Sequence, residues 1–260
     1  MPELNSIEWS LALLAAFGVG VSKSGFSGVG MFHVVVFANL FGARESTGIV
    51  LPMLIFGDVC AVVAFRQHAR WDYVWRMLGP TTLGVIGGWA IMQSIENAAF
   101  KPLIGSIIIL LLAAMQIARM WRPNWFTSIP HTVWFAWGLG LLAGFSTMLA
   151  NAAGPIIALY LVAVSMPKLE LAGTTAWLFL ILNIFKVPFS VDQGLIDLNS
   201  LSLNAMLLPV IVVGLLAGRW LFARVPQRLF DSLVLVFSAL AALRLMGLPE
   251  AIMALWRSVF

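Results

Sequence analysis

The chain has 260 residues, 61% of them hydrophobic and 10% charged, with a mean hydropathy of +0.98. A water-soluble domain of this size does not tolerate that balance, so the chain reads as an integral membrane protein. The formal net charge of +4 does not imply nucleic acid, because the basic residues stand singly at the ends of apolar stretches, where the positive-inside rule places them.

The first apolar stretch, residues 8–42, is too long for one straight helix, since a hydrocarbon core about 30 Å thick takes about 20 helical residues. It carries Gly25-Phe26-Ser27 near its middle and is expected to break or fold back there. No Lys or Arg precedes it, so it lacks the cationic leader of a cleavable signal and is expected to stay in the mature protein. Stretches 46–66, 75–95 and 100–119 follow, joined by short polar segments. The linker 119–131, with Pro123 and Pro130, divides the chain into halves at 1–122 and 123–260. The second half repeats the pattern: a broken stretch at 132–167 containing Gly144-Phe145-Ser146, then 171–190, 201–222 and 229–246. Trp9, Trp71, Trp75, Trp121 and Trp125 lie near stretch ends, as an interfacial aromatic belt requires, and residues 248–260 read as an interfacial tail.

The repeat extends beyond the shared tripeptide. Asp72 matches Asp197, Pro80 matches Pro209, and Gly84 and Gly88 match Gly214 and Gly218. The expected fold is therefore all-α: a polytopic transmembrane bundle of two repeats, each opening with a broken or re-entrant helix hairpin. Charge counting favours hairpins. If both broken stretches turn back at their Gly-Phe-Ser tips, one side collects Arg66, Arg70, Arg76, Arg119, Arg122, Lys168, Arg219, Arg224 and Arg228, and the other keeps Arg44, Lys101, Arg244 and Arg257. That asymmetry obeys the positive-inside rule, makes the repeats inverted and puts both termini outside the cytoplasm. A plain packing role for the small residues at 18–30 and 138–154 is the alternative.

Ionisable groups at bilayer depth are expensive and invite functional readings. Lys23 beside the first tip and Lys186 in the sixth stretch would attract an anion, aided by backbone N–H groups at a half-helix start after Gly25 or Gly154. Ser24, Ser27, Ser146, Thr147, Asn151, Thr174, Thr175 and Asn183 add hydroxyl and amide groups on the same segments. Asp58 is a proton-coupling candidate, with an ion pair to a buried lysine as the alternative, and His33 is a relay candidate for which a satisfied packing role is the favoured alternative. For Lys186, snorkelling to the interface is the competing reading. The lone Cys60 and three scattered His residues give no metal-ligand spacing, so no metal and no cofactor is expected.

These residues together resemble a known family. Gly25-Phe26-Ser27-Gly28-Val29-Gly30, Ser46-Thr47-Gly48 and Trp71-Asp72 in the first half are similar to the sulfite-exporter TauE/SafE permeases. So are Gly144-Phe145-Ser146, Asn151-Ala152-Ala153-Gly154-Pro155, Tyr160-Leu161, Gly173-Thr174-Thr175-Ala176, Asn183 and Lys186 in the second. Met31-Phe32-His33 stands where the family has a denser glycine run followed by Pro, a departure that bears on the substrate rather than the class. The resemblance implies a secondary transporter of the inner (cytoplasmic) membrane for sulfite or an organosulfonate anion. The partners expected are that small anion and the lipid bilayer, with a homodimer as a candidate assembly and no nucleic acid. A passive anion channel is the main alternative. An intramembrane enzyme fits poorly, because Lys23 and Ser24 point about 100 degrees apart on a helix and no zinc or paired-aspartate motif is present.

Overall fold

Helix boundaries follow from where apolar runs meet their caps and breakers. The computed structural model describes residues 4–26, 30–42, 44–92, 132–196 and 198–226, with Ile109 and scattered positions between 229 and 243. Helix α1, Ser6–Lys23, opens on a capping box: the Asn5 side chain accepts from the N–H groups of Ile7 and Glu8, and Glu8 accepts from the Asn5 N–H. It ends at Gly25, whose φ of 112° suits glycine and where a side chain would also strike the Phe222 ring. Helix α2, Met31–Phe41, completes the first broken stretch.

The stretch expected at 46–66 forms α3, Glu45–Ile49, and α4, Leu51–Phe65, interrupted at Val50. Pro52 explains the joint, because it lacks the N–H that a continuous helix would donate back to Gly48. Helix α5 spans Trp71–Met92. In the second half, α6, Val133–Ala150, and α7, Ala153–Ala163, form the second broken stretch. Helices α8, Lys168–Asp192, and α9, Leu198–Arg224, follow. Among the described residues there is no strand, and four helices are long and apolar enough to cross a membrane. Outward-facing Val63, Trp134 and Val213 are exposed, as a lipid-facing surface demands. The expected stretch 100–119, the linker 119–131, Asp197 and the tail 248–260 lie outside the described residues, Ile109 excepted.

Packing between the halves is reciprocal. Helix α5 lies on α6, with Gly84 against the backbone of Leu141 and Gly144, while α9 lies on α1, with Gly214 against Phe17 and Gly20 against Ile211. Only residues without a side chain allow such backbone contact. Gly88 and Gly218 serve matching roles one turn further along, against Met148 and Ser24. At the centre, α3 and α4 cross α8 in antiparallel fashion: Arg44 donates to Gln193 at 2.6 Å near one end, and Arg70 pairs with Glu170 at 3.1 Å near the other. Gly48 packs on Leu195 just past α8, and Gly173 packs on Phe65 and Ala69 at the end of α4.

One expectation is corrected. Gly25 and Phe26 of the first tripeptide do sit at a break, but Gly144-Phe145-Ser146 lies inside the continuous helix α6. The second break comes at Asn151, which adopts a left-handed conformation at φ 51°. Gly144 is needed where it is for the close approach of α5, so the tripeptide marks a packing position there rather than a turn.

Candidate functional site

Both helix breaks, α4 and α8 meet around an internal cavity of about 50 Å³. That is room for three or four water-sized groups, or one small ion with little of its hydration shell. Both breaks reach it. Gly30 stands just before α2, and Ala153 and Gly154 open α7, whose start has no side-chain cap among the described residues, so its first-turn N–H groups remain available to a ligand.

The charged wall is Lys23, from the last turn of α1. Its Nζ lies 2.6 Å from Oδ1 of Asp58 on α4 and 4.9 Å from the centre of the Phe179 ring. The other carboxylate oxygen of Asp58 accepts from Asn183 Nδ2 on α8 at 2.6 Å. Asp58 is wholly buried, and an isolated charge there would be prohibitive, so Lys23 and Asn183 together make its burial tolerable. Asp58 and Asn183 are 125 residues apart, the same spacing as Gly48 and Gly173, so equivalent positions of the two repeats bond each other at the crossing point. His33, from α2, also lines the cavity; it is 4% exposed and its Nδ1 has no hydrogen-bond partner among the described residues.

Lys186 does something else. It is 1% exposed and does not snorkel. Its Nζ donates to the Thr147 carbonyl at 2.9 Å, to the Thr147 hydroxyl at 3.3 Å and to Asn151 Oδ1 at 2.6 Å. Asn151 in turn donates from Nδ2 to the Thr47 carbonyl on α3 at 3.1 Å. The amide thus bridges α8 to α3 across the second break and fixes the left-handed turn that Asn tolerates better than most residues. Lys186 is absent from the cavity lining and holds the lining residues Thr147 and Asn151 from behind.

The expected residues divide accordingly. Lys23, Gly25, His33, Asp58, Asn151, Gly154, Thr175 and Asn183 line the cavity. Ser24 instead bonds back to the Val21 carbonyl and packs on Gly218, and Ser146 bonds back to Ala143. Thr174 accepts the backbone N–H of Arg70 at 3.0 Å, which ties α8 to the end of α4. Ser27 lies outside the described residues. Thr147, expected among the polar residues of these segments, lines the cavity too, whereas Ser22 and Phe179 line it without having been expected, because a hydroxyl or ring inside an apolar helix carries no periodic signal of which face it occupies.

Comparisons with curated proteins and with solved structures gave no match. A family model described as sulfite exporter TauE/SafE matches residues 12–245 of the chain. The chain belongs to that family and is a multi-pass membrane protein of a sulfur-anion transporter class.

Proposed function

We propose that this TauE/SafE family member is a secondary transporter of the inner membrane that moves sulfite or a small organosulfonate by alternating access. The observation that carries the reading is the cavity between the two helix breaks, with Lys23 on its wall and the uncapped start of α7 at its edge. An ammonium has three donors and Asp58 occupies one, so Lys23 offers the rest to an oxyanion. Half-helix starts aimed at an anion near mid-membrane are the common construction of carrier sites. The antiparallel crossing of α3 and α4 with α8 supports inverted repeats, which rock against each other about a fixed site.

Asp58 couples the cycle in this reading. An arriving anion competes with its carboxylate for Lys23, and a carboxylate deprived of its cation at bilayer depth takes up a proton. Flux of labelled sulfite and sulfonates into proteoliposomes under an imposed proton gradient tests the proposal. The parent is expected to accumulate substrate uphill, and Asp58→Asn to exchange it without concentrating it. Equilibration by the parent down its gradient only would make the protein a channel. Uphill accumulation by Asp58→Asn at parental rate would remove the coupling role.

A further inference from the structure

The two broken stretches enter the molecule from opposite ends. Helix α9 runs beside α1 in the same direction, with Gly214 on Phe17 and Gly218 on Ser24. Helix α6 runs likewise beside α5, with Gly140 on Pro80 and Gly88 on Met148. Helices α5 and α8 both start at the Arg70–Glu170 ion pair, so α6 and α7 come in from that basic end. Helices α1 and α2 come in from the Arg44–Gln193 end, where α8 finishes and α9 begins. The first break therefore points at the basic end.

On that side, just past the cavity wall, stands a layer of rings. Gly25 lines the cavity, and the Phe222 ring of α9 fills the space that a side chain on Gly25 would need. Phe222 lies 5.7 Å from the Phe26 ring and 5.8 Å from that of Phe65, both edge to face. Phe65 ends α4, one turn past the cavity-lining Ala61. All three rings are buried, and a layer without polar atoms gives a passing anion nothing in exchange for its hydration. Lys168, the first residue of α8, secures the layer: its Nζ donates to the carbonyls of Phe222 and Val225 at the end of α9 and stands 5.0 Å from the centre of the Phe222 ring. A cation on the carbonyl end of a helix is a favourable anchor. Helix α8 thus touches the ring layer through Lys168 and the site through Asn183.

We infer that Phe222, packed against Phe26 and Phe65, is the gate between the cavity and the basic end, and that Lys168 holds it shut. The inference rests on the alternating-access reading above and supplies one of the two barriers that reading requires. Opening moves the Phe222 ring off Gly25, and the missing side chain at Gly25 is what lets the ring close so near. One helix carries both contacts, so a shift of α8 at Asn183 reaches the gate through Lys168.

Sided thiol labelling tests the gate without any substrate. Ala61→Cys in a Cys60→Ala background places a reporter thiol on the cavity wall nearest the rings, and the full chain in vesicles is treated from each side in turn with a membrane-impermeant methanethiosulfonate. Phe222→Ala removes two ring contacts from the shut state, so labelling from the basic side should accelerate at least about tenfold, with the rate from the Arg44 side unchanged. Lys168→Met keeps the ring and removes its anchor, and should accelerate basic-side labelling at least about threefold. That variant decides alone if Phe222→Ala does not fold. An unchanged basic-side rate in the folded variants, or an equal rise from both sides, would overturn the gate and leave the anion site standing. Accelerated basic-side labelling in a chain that moves no sulfite would leave the gate and remove the anion reading.

Discussion

In the first half of the molecule the cation sits on the broken helix and its acceptor on the crossing helix: Lys23 of α1 reaches Asp58 of α4. In the second half the direction is reversed, for Lys186 of α8 reaches back to Thr147 and Asn151 at the end of α6. The backbones around both are near equivalents, with Gly84 and Gly88 against α6 mirrored by Gly214 and Gly218 against α1. The same scaffold therefore carries two different uses of a buried lysine. Lys23 presents its charge to the cavity, 11% exposed, whereas Lys186 is consumed in holding the second break in shape. A duplicated fold need not duplicate its site, and the odd charge is what separates a ligand-facing half from a supporting half.

The largest expected effect tests the shared scaffold. Gly84→Leu and Gly214→Leu each force a side chain into opposing backbone, so each should lower stability by more than about 3 kcal/mol, read as loss of the folded peak in detergent size-exclusion profiles. If only one of the pair is disruptive, the two packings are not equivalent. Next comes the charge contrast. Lys23→Met strands Asp58 and should destabilise by about 3–5 kcal/mol, most of it recovered when Asp58→Asn is added. Lys186→Met strands only neutral acceptors and should destabilise by about 1–3 kcal/mol, with Lys186→Arg a partial rescue because a planar fork does not suit three converging oxygens. Thermal melting of these purified variants checks the order, and no recovery in the double variant would mean that Asp58 is not held chiefly by Lys23. The smallest effect is at the turn itself. Asn151→Ala should melt below Asn151→Gly by an amount worth about 1–2 kcal/mol, since both lose the bridging amide and only alanine suffers in the left-handed conformation.

Much of this was legible in the residues. The length of stretches 8–42 and 132–167 required two breaks, and the apolar runs placed the crossing helices α4 and α8 to within a few residues. The position of the second break was misread because Gly144 repeats the tripeptide of Gly25 while answering a different need, contact with Gly84. The half-helix start expected after Gly154 is where the chain does resume, seven to ten residues later, where Asn151 precedes Gly154-Pro155: an amide that accepts a left-handed turn, followed by a proline suited to a helix start. Pairing was less accessible. A sequence shows that Lys23, Asp58 and Lys186 are all at membrane depth, but which lysine takes the carboxylate depends on crossing geometry between helices far apart in the chain. The same holds for Thr147 and Phe179, which owe their place at the cavity to the rotation of α6 and α8.

The claim that Lys23 meets the anion while Lys186 supports the site is tested most directly by labelled sulfite uptake into proteoliposomes containing the Lys23→Met/Asp58→Asn double variant. Both members of the ion pair are gone, so no buried carboxylate is stranded and the protein should remain folded and inserted. The account predicts that uptake falls to the level of protein-free vesicles, even by exchange, because the donor facing the cavity is lost. Sulfite exchange at the parental rate by the folded double variant would contradict it.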